Sequence, residues 1–301
     1  MPLPALVLRT ARRTRAPAGL CRAGRGARVN LAGVLILLPP SEGKTAPASG
    51  APADPATLWL PELAAARRRV LTRLVRMCRR SSARSVAASL AALGLSAGQR
   101  DEITRNAGLP EAAAAPAAEV YTGVLYEALD ARSLAPPARA WLDERAVIFS
   151  ALWGVLRLGD RVPAYRCPAG VTLPPVGGLT GYWRTALRPA LDRAAGDGPV
   201  LDLRSGAYAA MWSPEPGLAP RTAALRVLHE RTVDGVPRRS VVSHFNKATK
   251  GRLVRSLAEA GVAPASVDDL VTALRDLKHT VEERPGPADR PRQLDLVVAD
   301  L

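Results

Sequence analysis

The chain has few of the residues that build metal sites and disulfide frameworks. Its 301 residues include 3 cysteines and 3 histidines. Cys21, Cys78 and Cys167 lie far apart with no CxxC pair, and the histidines have no metal-ligand spacing. The sequence therefore predicts no metal, no cofactor and no disulfide framework, as expected of a reduced cytoplasmic protein.

Long apolar runs are also missing. Spanning a bilayer takes roughly 20 consecutive apolar residues, and the strongest run, AGVLILLPP at 32–40, is far shorter and ends in prolines. This run is typical of a buried strand. We therefore expect no membrane-embedded part.

Acidic residues are scarce compared with basic ones, most of all at the start of the chain. Lysine and arginine number 42 against 27 aspartates and glutamates, a formal charge of +15. Residues 1–33 hold seven arginines and no acidic residue, which leaves +8 for residues 34–301. A basic body of this kind favours an anionic partner without identifying it.

Residues 1–33 contain mainly Arg, Ala, Gly and Pro without sustained periodicity. A transit peptide or a signal peptide would give a similar bias, but the segment has no proper apolar core and no serine. We favour a third interpretation, translated upstream sequence with the true start at or near Val34, because a strand pattern begins there. The predicted organisation is a disordered or misassigned extension at 1–33 and a folded domain at 34–301.

From Val34 onward, helical and strand patterns alternate. VLILL predicts a strand, residues 60–82 and 181–196 predict helices, and Asp234-Gly235 between two extended runs predicts a hairpin. A short helix at 266–276 and a final strand pair follow. The predicted fold class is α+β, a single mixed α/β domain around a central, mainly antiparallel or mixed sheet. Eight apolar residues should contribute to that sheet: Leu35, Leu37, Ile148, Phe149, Leu201, Leu203, Val242 and Phe245.

The loop PPSEGKT at 39–45 is the first candidate for chemistry. Gly43-Lys44-Thr45 matches the end of a phosphate-binding loop, but the position five residues before Gly43 is Leu38, where a Walker A motif has glycine. Nucleotide hydrolysis by that route is therefore disfavoured. The loop still follows a strand with Glu42 and Lys44 exposed, where α/β proteins tend to bind ligands. A tight turn with solvated polar residues is the alternative.

A second candidate lies at 150–166. This stretch presents Arg157, Arg161 and Arg166 beside Tyr165, and guanidinium groups with aromatics suit phosphates or nucleic acid. A solvated loop with an ordinary Arg/Asp pair explains it equally well.

A third candidate is the turn LGLS at 93–96 between two predicted short helices. In a helix-hairpin-helix, turn amides and the next helix N-terminus meet DNA phosphates. Gly94 fits this pattern, but Ser96 occupies the place of the usual second glycine. A plain turn between two helices remains an alternative.

The stretch HFNKATKGRLVRSL at 244–257 predicts a helix capped by Asn246, with cations packed into its first turns. Cations are disfavoured at the positive end of a helix, so a bound polyanion would explain them. Gly251 between them would let a ligand approach the backbone. The basic residues of this helix are Lys247, Lys250, Arg252 and Arg255.

Six stretches in order resemble the peroxide stress protein YaaA family of bacteria: LILLPPSEGKT, VYTGVLYEALD, IFSALWGVLRLGDRVPAYR, LTGYWRTALRPALD, VLDLRSGAYAAMW and SHFNKATKGRLVRSL. The resemblance runs from about Val34 to the C-terminus. It implies a YaaA-like fold with a helix-hairpin-helix-like element, and a cytoplasmic stress protein that binds double-stranded DNA in a basic cleft and helps limit intracellular iron and oxidative damage. The positions that match the cleft are Lys44, Arg157, Arg166, Lys247, Lys250 and Arg255.

Two classes of function follow. The first is the DNA-binding stress protein, whose DNA binding would be largely independent of sequence. The second is an enzyme that acts on a phosphorylated or otherwise anionic small molecule, with lysines binding the anion and Glu42 or Tyr121 moving a proton. A deep cleft with Glu42 facing the lysines favours the enzyme, and a basic surface continuous with residues 94–101 favours DNA binding.

Overall fold

A computed structural model describes residues 33–299 of the chain. The extension predicted at 1–33 lies outside these residues except for Gly33. The strands, in chain order, are β1 (Leu35–Leu38), β2 (Ala115–Pro116), β3 (Ala146–Ser150), β4 (Gly154–Arg157), β5 (Arg161–Val162), β6 (Thr172–Leu173), β7 (Gly177–Gly178), β8 (Val200–Asp202), β9 (Thr222–Val233), β10 (Val236–Ser240), β11 (Thr280–Arg284) and β12 (Arg292–Ala299).

Helices cover both faces and the ends of the strands. In chain order they are α1 (Ala64–Cys78), α2 (Ala83–Leu93), α3 (Arg100–Ala107), α4 (Ala117–Val120), α5 (Val124–Leu129), α6 (Pro136–Arg145), α7 (Leu179–Ala194), α8 (Gly206–Ala209), α9 (Ser243–Glu259) and α10 (Val267–Asp276). Short 3₁₀ turns at Pro61–Leu63, Ala97–Gln99 and Ala219–Arg221 complete the described helical structure.

An eight-stranded sheet forms the centre of the described chain. Its strands lie in the order β11-β12-β9-β8-β1-β3-β4, and β10 pairs with β9. Strand β1 runs parallel to β3 and β8, and β9 runs parallel to β8 and β12. The pairs β3–β4, β9–β10 and β11–β12 are antiparallel. The prediction of a mixed α/β fold around a central mixed sheet is confirmed.

The apolar runs explain the parallel centre of this sheet. All four residues of β1 and all five of β3 are buried, because helices cover both faces of a parallel sheet and each strand can be apolar throughout. The carboxyl ends of β1, β3 and β8 meet at one edge. Ligands of open α/β sheets bind at this kind of edge, and the loop at 39–45 begins there.

Most of the predicted local elements are present. Helices α1, α7 and α10 lie where the periodicity placed them, and β11 pairs with β12 as expected. Asp234 and Gly235 have φ of 54° and 75°, the positive values that a two-residue type I′ hairpin requires.

The start of α9 differs from the prediction. The extended backbone of Val242 caps the helix and Ser243 opens it, so Asn246 lies inside the helix and the predicted Asn246 cap is wrong. Phe245 lies in α9, where it stacks on His229 of β9 with ring centroids 5.9 Å apart. Val242 and Phe245 are therefore not sheet residues. The apolar ring of Phe245 serves packing between α9 and β9.

The other predicted sheet residues lie in or beside the strands. Leu35, Leu37, Ile148, Phe149 and Leu201 are fully buried strand residues, and Leu203, also fully buried, directly follows β8.

Within residues 33–299, no helix is both long enough and apolar enough to cross a membrane.

Candidate functional site

The loop that follows β1 brings Lys44 to the carboxyl edge of the sheet. Lys44 forms an isolated antiparallel bridge with Tyr121, and the N–H of Thr45 donates to the carbonyl of Val120 at 2.8 Å. The Lys44 ammonium donates to the carbonyl of Ser41 in the same loop at 2.6 Å. The amine is thus fixed close to its own loop and to the segment around Tyr121.

Two glycines allow these segments to touch. Gly123 has a φ of +95°, and a Cβ there would lie 2.9 Å from the Ser41 hydroxyl oxygen. A Cβ on Gly43 would lie 3.0 Å from the hydroxyl oxygen of Thr122. Gly123 is therefore required both by its backbone conformation and by the close approach of the loop.

Aromatic rings enclose the Lys44 amine. The Nζ atom lies 4.4 Å from the ring centroid of Tyr165 and 5.1 Å from that of Tyr121, within the range of cation–π attraction. The two tyrosine hydroxyls lie 2.6 Å apart, and the Tyr165 hydroxyl lies 2.6 Å from that of Ser150 at the end of β3. The backbone N–H of Trp153 donates to the hydroxyl oxygen of Ser150 at 3.0 Å. A connected chain of buried hydroxyls therefore runs beside the amine.

Lys44, Tyr121, Tyr165 and Ser150 are called the Lys44 cluster below. Burial changes the acid–base properties of this cluster. It lowers the pKa of Lys44 to about 8, and the nearby charge of Glu42 opposes part of that effect. Burial also raises the pKa of Tyr121 and of Tyr165 well above the usual tyrosine value. The tyrosines are therefore neutral at physiological pH, whereas Lys44 exchanges its proton close to that range.

An ion pair lies at the rim of the cluster. Glu42 and Arg166 are 2.9 Å apart, with the Glu42 side chain 53% exposed. The Arg166 Nε atom is buried and has no hydrogen-bond partner in the described part of the chain. Asn106 of α3 donates to the carbonyl of Arg166 at 2.7 Å and accepts from its N–H at 3.0 Å. These two bonds fix α3 directly beside the rim.

The turn between α2 and α3 has ordinary capping chemistry. Gly94 has a φ of +63° and ends α2, and Ser96 forms a capping box with Gln99 before α3. Serine at 96 thus opens the next helical turn where the helix-hairpin-helix pattern has its second glycine. Two helices joined by a short turn are present here, and a helix-hairpin-helix role in DNA binding for this turn stays a prediction.

Exposed arginines lie at the connection between α1 and α2 and at the start of α3. Helices α1, α2 and α3 pack on one another. Between residues 76 and 100 of the described chain, four exposed arginines make no ion pair or hydrogen bond through their side chains: Arg76, Arg80, Arg84 and Arg100. Their charges are unneutralised within the protein.

Two other predicted arginines are bound by the fold. The Arg157 guanidinium donates to the carbonyls of Glu144 and Ala146 and lies 4.2 Å from the ring centroid of Trp59. Arg161 donates to the carbonyl of Ala114 at 2.6 Å. Of the three arginines predicted at 150–166, Arg166 is the one that the structure brings to the Lys44 cluster.

Two of the four basic residues of α9 are also bound to backbone carbonyls. Lys250 donates to the carbonyl of Leu203 at 2.8 Å, and burial lowers its pKa. Arg255 donates to the carbonyls of Leu129 and Asp130 at 3.2 and 3.0 Å, and its Nε atom lies 2.9 Å from a carboxylate oxygen of Glu259.

Lys247 and Arg252 complete the basic set of α9. Both are exposed and make no side-chain contact of this kind in the described chain. The helix starts at Ser243, so both lie beyond its first turn, where the helix dipole is weak. Their positive charge needs no bound anion to be tolerated.

Gly251 serves packing in this structure. A Cβ at this position would lie 2.2 Å from the Leu125 carbonyl oxygen and 2.9 Å from the Ala128 Cβ. The predicted approach of a ligand at Gly251 is therefore wrong, because helix α5 already occupies that space.

Sequence reasoning overlooked Ser150 and Asn106 and gave Tyr165 no role in binding the amine. The chain has only 5 tyrosines. Three of them, Tyr121, Tyr126 and Tyr165, lie together at this site, so tyrosine positions were an available signal. The rings of Tyr121 and Tyr126 stack with centroids 5.4 Å apart. The pairing of Asn106 with Arg166 spans 60 residues, and no local pattern indicates it.

This arrangement combines a readily titrating amine, a buried hydroxyl chain and an Arg–Glu pair at the carboxyl edge of a parallel sheet. Such a set can hold an anion and exchange a proton with it. Among the described residues no group of three or more His, Cys, Asp or Glu side chains could hold a metal ion.

Known proteins similar to this chain cover the whole site. A family model described as peroxide stress protein YaaA matches residues 34–283. A UPF0246 protein of Streptomyces coelicolor is 51% identical over 271 residues, covering 89% of this chain and 100% of that protein. A UPF0246 protein of Corynebacterium efficiens is 39% identical over 269 residues, covering 88% of this chain and 100% of that protein.

Proposed function

This chain belongs to the peroxide stress protein YaaA family, and we propose that it acts in the cytoplasm during peroxide stress by binding double-stranded DNA, and so helps to limit intracellular iron and oxidative damage. The observation that supports DNA binding best is the group of unneutralised arginines at the α1–α2 connection and at the start of α3.

The four arginines come from three places between α1 and α3. Arg76 and Arg80 lie near the end of α1, Arg84 lies in the first turn of α2, and Arg100 begins α3. A phosphate close to Arg100 would also meet backbone N–H groups at the start of the helical segment, which favour anions. Contacts of this type position a protein on DNA without reading bases.

The rim of the Lys44 cluster would extend this surface. Asn106 joins α3 to Arg166, which is close to Lys44. We assign Lys44, Arg166, Lys247 and Arg252 to the candidate phosphate contacts. Arg157, Arg161, Lys250 and Arg255 are bound to backbone carbonyls, and we assign them to stabilising the fold.

The test is salt-dependent binding of the full chain to two unrelated duplexes, measured by fluorescence anisotropy. Each neutralised phosphate contributes about −0.9 to the slope of log K against log salt. The triple variant R80Q/R84Q/R100Q should lower the slope by about 2.7 for both duplexes. The control R188Q/R193Q removes two exposed arginines of α7 that pair with Glu215 and Glu62 and should keep the slope. Equal slopes for the triple variant and the wild type would refute this DNA site.

The iron part of the proposal is tested in cells. A strain that lacks the protein should contain more chelatable iron after peroxide exposure than a strain that expresses it. Expression of R80Q/R84Q/R100Q should fail to restore the lower iron level, and R188Q/R193Q should restore it. Restoration by the triple variant would separate the iron effect from DNA binding.

A second function is favoured by the Lys44 cluster itself. A buried amine with a lowered pKa beside Glu42, Arg166 and a hydroxyl chain is typical of sites that bind and convert small anions. In this alternative, Lys44 and Arg166 bind the anionic group of a small substrate, and Glu42 or Tyr121 moves a proton. The protein would then be an enzyme for phosphorylated or otherwise anionic compounds.

Isothermal titration distinguishes this alternative from DNA binding. Inorganic phosphate and a panel of phosphorylated metabolites would be titrated into the wild type and into K44M. Saturable binding that K44M abolishes, together with unchanged DNA binding by R80Q/R84Q/R100Q, would support the enzyme. Absence of saturable binding by every compound of the panel would count against it.

A further inference from the structure

The β9–β10 hairpin carries two arginines that face each other. Strand β9 pairs with β12 as far as Glu230. Strand β10 pairs with the last five residues of β9. The register places Arg238 directly opposite Arg231. Residues directly opposite in an antiparallel pair share one face, and like charges there destabilise the pair. Both side chains are exposed.

The opposite face of the same hairpin is neutralised within the protein. Arg239 lies opposite Glu230, and its guanidinium contacts Glu230 at 2.7 Å and Glu282 at 2.6 Å. Arg231 and Arg238 make no ion pair or side-chain hydrogen bond in the described part of the chain. One face of this ribbon is thus balanced, while the other has two adjacent unpaired cations.

The hairpin face that carries Arg231 and Arg238 packs at its base against α9. His229 lies opposite Ser240 on the same face as Arg231, because side chains alternate along a strand. The His229 ring is buried and stacks on Phe245 in the first turn of α9. The start of α9 therefore lies against the base of this face, and the arginine pair is two residue pairs further toward the Asp234-Gly235 turn.

The edge position limits what can bind there. Strand β10 is fully exposed and its outer edge is interrupted by Pro237, which lacks the N–H needed to extend a sheet. Addition of a strand from another protein is therefore disfavoured. Two guanidinium groups side by side suit phosphate oxygens, which accept forked hydrogen bonds from arginine.

We propose that the Arg231/Arg238 face of the β9–β10 hairpin is a further contact for the phosphate backbone of double-stranded DNA. The proposal rests on the DNA-binding function proposed above and adds a second surface to it, separate from the arginines between α1 and α3. A phosphate group between the two guanidinium groups removes the like-charge repulsion that the free protein retains. Binding at this surface is independent of base sequence.

The test compares R231Q/R238Q with R239Q in the full chain. Both changes remove arginine from the same hairpin, on opposite faces. The double variant should lower the salt slope by about 1.8 for two unrelated duplexes and weaken binding at 0.1 M salt by on the order of tenfold to a hundredfold. R239Q should keep the wild-type slope. A wild-type slope in the double variant, or an equal loss in R239Q, would overturn the proposal.

Stability measurements exclude a trivial loss of folding. The melting temperature of R231Q/R238Q should equal or exceed that of the wild type, because the like-charge pair is removed. R231K/R238K keeps both charges and should keep the slope even where the glutamine variant folds poorly. Loss of slope in the lysine variant would also contradict a phosphate contact.

The result also distinguishes this proposal from the one on which it rests. Wild-type protein without duplex binding would defeat both. Wild-type binding that is lost in R80Q/R84Q/R100Q but intact in R231Q/R238Q would defeat the hairpin contact alone. Binding of the wild type to duplex RNA but not to duplex DNA would assign the hairpin to a different nucleic acid and overturn the proposal as stated.

Discussion

The loop after β1 and helix α9 each contain a partly buried lysine that donates to one backbone carbonyl, yet the two regions differ in what surrounds the amine. Lys44 lies against the rings of Tyr121 and Tyr165 with an ion pair at its rim. Lys250 has its bond to the carbonyl of Leu203 and the more distant charge of Asp202. Aromatic rings and an ion pair adjoin the first amine, whereas the second amine is held by a backbone carbonyl. Basic residues that look alike in sequence therefore divide into groups available for binding and groups used by the fold.

The largest expected effect concerns the structural character of α9. Gly251→Ala places a methyl group 2.2 Å from the Leu125 carbonyl oxygen, so α5 and α9 must separate. Overpacking against a rigid backbone costs about 3 kcal/mol or more, and we expect the variant to unfold at much lower urea or fail to fold. Urea unfolding followed by circular dichroism measures this.

A matched control exists in another helix. Gly181 of α7 has open space where a Cβ would lie, so Gly181→Ala should stabilise the protein by about 0.5 kcal/mol or leave it unchanged. If Gly251→Ala were as stable as Gly181→Ala, α9 would be free to carry a ligand at Gly251, and the contrast between the two regions would fail.

The next effect concerns Arg255. Its guanidinium binds two carbonyls at the end of α5 and the hydroxyl of Ser133 at 2.9 Å. Arg255→Ala should lower the free energy of unfolding by about 2 kcal/mol, because several charge-assisted hydrogen bonds disappear. Its salt slope for DNA binding should stay at the wild-type value. A reduced salt slope with unchanged stability would show that Arg255 contacts DNA and does not stabilise the fold.

A pH series sharpens the comparison of the two lysines. The folded-state pKa of Lys44 is about 8, below its ordinary value of 10.5, so above pH 8 the unfolded chain binds more protons and stability rises with pH. Between pH 7 and pH 9 this contribution is about 1 kcal/mol. K44M should lack the increase, measured by urea unfolding at both pH values. K250M should retain it, and equal pH dependence of K44M and the wild type would show that Lys44 titrates normally.

Much of the fold follows from local patterns in the sequence. The fully apolar β1, the Asp234-Gly235 hairpin and the helix at 267–276 each depend on residues that are close along the chain. The start of α9 was mispredicted because Val242 and Phe245 are apolar and β-prone. Phe245 instead packs inside α9 on His229 of β9, and that contact depends on the tertiary structure.

Less of the candidate site could be predicted from the sequence. Lys44 and Glu42 were identified because they follow a strand. The hydroxyl chain through Ser150 and Tyr165 was not, because the contact of Tyr165 with Tyr121 joins residues 44 positions apart. Charge alone also could not distinguish Arg157 from Arg166, since Arg157 donates to two backbone carbonyls whereas Arg166 pairs with Glu42. Sequence thus predicts which residue types are present, whereas packing decides which remain free.

The smallest effect on stability is expected at Lys247. This residue tests most directly whether the exposed cations of α9 bind DNA while the buried ones stabilise the fold. Lys247 is exposed, so Lys247→Ala should change the free energy of unfolding by less than about 0.5 kcal/mol. If Lys247 contacts a phosphate, the same variant should lower the salt slope of DNA binding by about 0.9. Lys250→Met should show the reverse pattern, lower stability with an unchanged slope, because its amine is bound to Leu203. Equal slopes in Lys247→Ala and wild type would remove α9 from the DNA surface and leave the arginines between α1 and α3 and the hairpin to account for binding.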